Sequence, residues 1–170
     1  MGDLIDRHKP LPLAVVFDSE EKGNCMDEGN GLKSARPISE GMFVIPSSTS
    51  EQAYLVGSKC RSCGEISFPS RIVCRKCASQ DLESAPLSRT GTLYSLTSLD
   101  RRPPGYFGDV PYIFGVVELP EGERICTHFT DCDIESLRIG MDMELVLGIV
   151  GKDPEGNELL GWKFRPLRSK

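Results

Sequence analysis

The chain has 170 residues, of which 39% are hydrophobic and 26% charged, and a formal net charge of −5. That length can bury a core in one domain or two small ones, and the acidic balance argues against a general nucleic-acid binder. The longest apolar runs, LAVVF (13–17) and MELVLGIV (143–150), are too short to span a bilayer, so no membrane partner is expected.

Residues 1–50 differ in texture from the rest. The start, MGDLIDRHK, has no apolar segment of a secretory signal, which predicts a cytoplasmic protein. A polar stretch runs from Asp18 to Ser34, and ARPISEG and IPSSTSEQ are rich in turn residues. LAVVF and GMFVI read as two short strands. Their apolar side chains must either wrap the rest of this chain or dock on a partner, so 1–50 is an N-terminal extension and a candidate docking arm.

Residues 51–85 hold KCRSCGEISFPSRIVCRKC, with two C-x-x-C pairs, Cys60/Cys63 and Cys74/Cys77. Four thiolates at this spacing can close a tetrahedral shell around one Zn²⁺, and iron fits the same ligands. The shell leaves no open position for water, so the ion is structural rather than catalytic. Seven cysteines are an odd set, and metal binding suits the paired ones better than disulfides in a reducing compartment. Gly64 and Ala78 follow the two pairs, where a tight turn aims backbone N–H groups at sulfur. EISFPSRIV between the pairs suits a hairpin with Phe68 and Ile72 over the site. Arg61, Arg75 and Lys76 are expected to compensate the negative charge of the centre.

From Pro86 onward the pattern is that of strands: GTLYSLTSL (91–99), YIFGVVEL (112–119), RICTHFTD (124–131), MELVLGIV (143–150) and ELLGWKFRPL (158–167). RRPPGYFGDVP (101–111) is a long loop, PEGE (120–123) a hairpin turn and KDPEGN (152–157) another. In the third strand Ile125, Thr127 and Phe129 share one face, and Cys126, His128 and Thr130 the other. DIESLRIG (133–140) reads as a short helical turn with Asp133 as its N-cap and Gly140 as its stop. Five strands in so few residues leave no room for crossover helices. The expectation is a mainly β chain ending in a five-stranded antiparallel OB-fold barrel over 86–168.

The order of these pieces carries a resemblance. C-x-x-C-G, F-P, a second C-x-x-C, G-T-L-Y-S, P-P-G-Y, P-Y-x-x-G-V-V-E-L, L-R-I-G-M and F-R-P follow one another over roughly 42–168. The series resembles the acyl-CoA-associated zinc-ribbon/OB-fold family, first catalogued as domain of unknown function 35. The resemblance implies a rubredoxin-like zinc ribbon ahead of the barrel. It also implies a small accessory subunit of a thiolase-superfamily enzyme, in a hetero-oligomer with two copies of each chain, serving acyl-CoA metabolism. The second knuckle, C-R-K-C-A, departs mildly from the family pattern without touching the ligands.

Catalysis by this chain alone is not expected. Two histidines are present, His8 near the terminus and His128 in mid-strand, and no Gly-x-Ser-x-Gly, Walker loop or dinucleotide fingerprint occurs. Binding of the coenzyme A (CoA) portion of a substrate needs cations for phosphates and a ring for the adenine. Candidates are Arg71 in the ribbon, Arg101, Arg102, Tyr106 and Phe107 in the Pro-Pro loop, and Lys163 and Arg165 on one face of the last strand. Two readings compete with an accessory subunit. A nucleic-acid-binding ribbon and barrel would need a basic groove, and 89–170 hold more acidic than basic residues. An iron-bearing electron carrier would leave the barrel without a role.

Overall fold

The computed structural model describes residues 35–48, 51–104, 106 and 108–167. LAVVF lies outside them. The described chain is β throughout, apart from one 3₁₀ turn at Ile134–Ser136. In the ribbon, β2 (Phe43–Val44), β4 (Ile66–Ser67) and β5 (Leu82–Pro86) all pair antiparallel with the central β3 (Tyr54–Cys60). The barrel consists of β6 (Thr90–Leu99), β7 (Tyr112–Glu118), β8 (Arg124–Phe129), β9 (Asp142–Lys152) and β10 (Glu158–Pro166), with β1 (Arg36–Pro37) added along β10.

The barrel closes in the order β6-β7-β8-β10-β9 and back to β6. The expected all-antiparallel sheet is corrected at one seam, where β8 and β10 run parallel. The reason is parity: an odd ring cannot alternate direction at every step, so five strands must contain a parallel pair. Pairing is densest between β9 and β10, which run antiparallel from Glu158 opposite Lys152 to Pro166 opposite Met143.

Alternation sorts the barrel faces. Ile125, Thr127 and Phe129 of β8 all point inward, as their spacing predicts, and join Leu93, Val117, Met143, Leu145, Leu160 and Phe164 in the core. Bulges in β6 at Tyr94, between Leu93 and Ser95, and in β9 at Val150, opposite Leu159 and Leu160, add the local bend that a small barrel requires. The two turns form as expected. Leu119 N–H donates to the Glu123 carbonyl across the first (2.9 Å), and Asp153 accepts Asn157 N–H and Nδ2 across the second (2.7 and 2.8 Å). The helical turn is shorter than DIESLRIG suggests. It ends at Leu137, and the Asp133 side chain makes no cap; the Asp133 carbonyl accepts Ser136 N–H (3.0 Å) and Oγ (2.6 Å) instead. Gly140 belongs to the next bend, where its N–H reaches the Leu93 carbonyl at 2.9 Å.

Ribbon and barrel share one core, because Phe43, Leu55 and Leu87 pack with the barrel residues. Arg89 ties them further, donating to the carbonyls of Ala53 (2.7 Å) and Leu145 (3.2 Å). The described part of the N-terminal extension wraps its own chain: Arg36–Pro37 lies along β10 and Phe43–Val44 along β3.

Candidate metal centre and barrel cavity

The two knuckles are near copies of each other. Cys60 N–H donates to the Glu65 carbonyl and Gly64 N–H to the Cys60 carbonyl, at 2.9 and 2.8 Å. In the second, Cys74 N–H donates to Ser79 and Ala78 N–H to Cys74, at 2.9 and 3.0 Å. Both turns need a left-handed residue in the same place. Gly64 has φ +75°, and Ala78 accepts φ +59° at some strain. The small residues singled out in the sequence are therefore the hinges of the two loops.

The loops bring the sulfurs of Cys60, Cys63, Cys74 and Cys77 within 4.8 Å of one another. Cys60 lies 3.6 Å from Cys77 and Cys63 lies 3.6 Å from Cys74. A disulfide needs about 2.05 Å, whereas a tetrahedral shell with metal–sulfur bonds of about 2.3 Å spaces its sulfurs roughly 3.8 Å apart. The four residues are thus positioned to hold one metal ion, and every described cysteine is a free thiol.

The electrostatics suit a cation. Burial opposes ionisation of Cys60, but the N–H groups of Cys63 and Ser62 and the neighbouring thiols outweigh it and bring its pKa down to about 6. The N–H groups of Cys77 and Lys76 lower Cys74 in the same way. Cys63 is pushed up to about 12. The Glu65 N–H favours its thiolate, yet burial and the three adjacent sulfurs prevail. Four thiols this close cannot all ionise unless a cation replaces their protons.

The basic residues around the knuckles do not behave as expected. Arg61 pairs with Glu83 (3.0 Å) and Asp81 (3.7 Å), and Lys76 with Glu65 (3.9 Å). Arg75 bonds Glu65 at 2.8 Å and reaches the barrel hairpin, where Glu123 accepts it at 2.7 Å. Only 5% of the Glu123 side chain is exposed, and its other oxygen accepts Phe68 N–H at 3.1 Å. These cations answer carboxylates first, because a carboxylate offers a shorter and more localised partner than a shared sulfur charge. The expected hairpin over the site is also corrected. β4 folds back on β3, Phe68 packs edge-on against Trp162 of the barrel at 5.4 Å, and Ile72 is 89% exposed.

The CoA candidates scatter. Arg71 stands exposed in the ribbon, and Arg101 and Arg102 are exposed in the loop before β7. Phe107 lies outside the described residues. Arg165 is committed to Glu144 (2.7 Å) and Asp131 (3.1 Å). Tyr106 and Lys163 do converge, on a cavity of about 260 Å³ beside β8 and β10. His128 joins them there, its ring 5.7 Å from Tyr106, 5.1 Å from Tyr112 and 5.4 Å from Phe114. Sequence spacing paired His128 with Cys126 on one strand face. The parallel register instead sets it opposite Lys163, and only the closed barrel reveals that. Burial lowers the His128 pKa, and Lys163 lowers it further. Burial also lowers Lys163, against the pull of Asp131 and Asp109.

A four-thiol ribbon fused to a five-stranded OB barrel defines the class. The family model described as the ChsH2 rubredoxin-like zinc ribbon domain matches residues 51–83, and the ChsH2 C-terminal OB-fold domain matches 84–148. A DUF35 domain-containing scaffold protein of Methanocaldococcus jannaschii is 34% identical over 70% of this chain and 86% of its own length. The benzoylsuccinyl-CoA thiolase subunit BbsA of Thauera aromatica is 35% identical over 67% of this chain and 77% of its own. Among solved structures, the Ltp2-ChsH2(DUF35) aldolase matches with a TM-score of 0.54 and 30% identity, covering 66% of this chain and 84% of the matched chain. The chain belongs to the DUF35 family of zinc-ribbon/OB-fold proteins. Among the described residues, no helix is long and apolar enough to cross a membrane.

Proposed function

We propose that this protein is a non-catalytic accessory subunit of a thiolase-type acyl-CoA complex in the cytoplasm, with one structural Zn²⁺ held by Cys60, Cys63, Cys74 and Cys77. The observation that carries the reading is the combination of a four-thiol cluster with a barrel whose relatives are named as a thiolase subunit and an aldolase component. Zinc is favoured over iron because the ribbon links to its barrel by ion pairs and packing, which is a structural use of the site. Free thiols throughout the described chain fit a reducing compartment.

The division of labour follows the chain: 1–50 as extension and arm, 51–85 as ribbon, 86–168 as barrel. The partner is a thiolase-superfamily protein, and a two-plus-two assembly suits the symmetry of thiolase dimers. The partner carries the catalytic residues. The barrel lies against the CoA part of the substrate, with Tyr106 and Lys163 as its nearest contacts and Arg71, Arg101 and Arg102 as outer phosphate contacts. The benzoylsuccinyl-CoA thiolase relative favours thiolysis of an aromatic-pathway acyl-CoA.

Co-expression with a thiolase-superfamily protein of the same organism tests the proposal. The expected result is one peak on size exclusion containing both chains, stoichiometric zinc, and thiolysis activity that the partner lacks alone. A partner fully active by itself, never co-eluting with this chain, overturns the reading.

A further inference from the structure

The cavity beside β8 and β10 has an unusual composition for a barrel flank. It is lined by Lys163 and His128, and by Tyr106 and Tyr112, whose rings pack on each other at 4.7 Å as one aromatic wall. Their meeting is a product of closure. Lys163 stands opposite His128 in the parallel β8–β10 seam, and Phe114 stands opposite His128 in the β7–β8 ladder. Gly148 on β9 makes room for the lysine stem. A Cβ there would touch Lys163 Cδ at 3.4 Å and Nζ at 3.8 Å, so a branched side chain at this position would crowd the lysine stem.

Among the described residues, neither Lys163 Nζ nor the His128 ring has a hydrogen-bond or ion-pair partner. The nearest acidic groups are differently placed. Asp131 is taken by Arg165 at 3.1 Å, and Asp109 is exposed at the rim. Lys152, exposed like Asp109, also lines the cavity, so these two offset each other and the half-buried charge is that of Lys163. A half-buried ammonium without a carboxylate is costly to hold, and the burial that depresses both His128 and Lys163 expresses that cost. An anion placed between them would offset it by charge-assisted hydrogen bonds. The tyrosine faces meanwhile offer a planar group somewhere to pack.

Position and size narrow the ligand. The cavity lies between the loop joining the first two barrel strands and the end of the fourth, on the side where OB barrels receive ligands. At about 260 Å³ it falls a little below the roughly 300 Å³ at which drug-sized sites begin. One ring and one anionic group fit; a whole dinucleotide-sized molecule does not.

We infer that this cavity is a binding site for a planar ligand bearing an oxyanion, either phosphate or carboxylate. Lys163 and His128 hold the oxyanion, and the ring lies against the single aromatic wall that Tyr106 and Tyr112 form together, their centroids 4.7 Å apart. The inference shares Tyr106 and Lys163 with the CoA reading and stands without it, since described residues of this chain alone line the cavity.

The test is a titration of the isotope-labelled full chain with adenosine monophosphate, benzoate and inorganic phosphate at constant ionic strength, followed through the His128 ring resonances. Saturable binding of adenosine monophosphate or benzoate is expected, with inorganic phosphate weaker by about tenfold for want of a ring. Lys163→Met should weaken binding by about tenfold or more, and Tyr106→Ala, in an exposed loop, by severalfold. Zinc content and circular dichroism report whether each variant is folded. If Lys163→Met does not fold, Gly148→Val, which crowds the lysine stem, replaces it. Binding of the nucleotide alone identifies a phosphate source, and binding of benzoate alone a carboxylate source; either supports the site. No saturation with any probe, or equal affinity in the folded variants, overturns it. Unweakened probe binding in Lys163→Met, beside CoA binding by the assembled complex that also survives it, would remove this site and strike Lys163 from the CoA contacts while leaving the accessory-subunit reading standing.

Discussion

The ribbon and the barrel are stabilised by different physics. The barrel buries a contiguous set of large side chains, Leu93, Val117, Ile125, Met143, Leu145, Leu160 and Phe164, each essentially inaccessible. The ribbon beyond β3 contributes little of that kind. Ile72 and Val73 face solvent, and what lies inside is Cys74 and Ser67, against Ser58 and Cys60 at the end of β3. A segment of that size without a core of its own needs a staple. The sulfur cluster supplies it, and the two halves should therefore fail in different ways.

The largest expected effect is on the ribbon. Replacing Cys60 and Cys63 with serine removes half the shell, and because forming such a site is coupled to folding, the metal and the local fold go together. Metal analysis should show loss of the ion, and limited proteolysis should open 51–85 while the barrel resists. If cleavage spreads through 86–168 at the same rate, the two regions are one cooperative unit and the contrast fails. Next in size, Phe164→Ala leaves a cavity where the residue was fully buried and should cost about 3–5 kcal/mol. Chemical denaturation followed by Trp162 fluorescence measures it, with the metal still bound in the native baseline.

How much of this was legible depended on whether the signal was local. The four cysteines, Gly64 and Ala78 are close in sequence, and their spacing alone placed them around one centre. The inward face of β8 was legible because Ile125, Thr127 and Phe129 alternate. The parallel β8–β10 seam was not, since nothing in either strand records which neighbour it meets; parity of a closed ring requires such a seam but does not locate it. The Lys163–His128 pair was lost with it. Arg75 was legible as a cation beside sulfur, while its partner Glu123 lies 48 residues away in what reads as an ordinary hairpin turn. Phe68 was misplaced for the same reason, because Trp162, its packing partner, comes from the last strand.

Arg75 and Glu123 form one polar link across the junction, beside that of Arg89, and a medium effect is expected there. Arg75→Ala leaves a nearly buried carboxylate holding only the Phe68 N–H. Breaking a buried pair costs several kcal/mol, but Arg75 is 43% exposed, so water will offset part of the loss; about 1–3 kcal/mol is the expected range. Hydrogen exchange should rise at Phe68 and in the 119–123 hairpin with the metal still bound. Protection unchanged at both places would mean that the packing of Phe43, Phe68 and Trp162, with the Arg89 bonds, holds the junction without Arg75.

The smallest expected effect tests whether the barrel is as apolar in behaviour as its core suggests. His128 is more than half removed from water, and burial, then Lys163, lowers its pKa below the ordinary 6.5. In the interval between the folded value and 6.5, the unfolded chain binds more protons than the folded one, so stability rises with pH there. The stabilisation is fully present above the unfolded value and lost as pH falls through the folded one. His128→Phe should flatten the curve over that interval, because a ring is kept among Tyr106, Tyr112 and Phe114 and the titrating group is gone. Urea denaturation at a series of pH values between 5 and 7.5 reads the slope. Residual acid sensitivity in the variant would belong to the thiols, and repeating the series on the cysteine double variant separates them: the ribbon's proton dependence disappears with its metal, whereas the barrel's remains with His128.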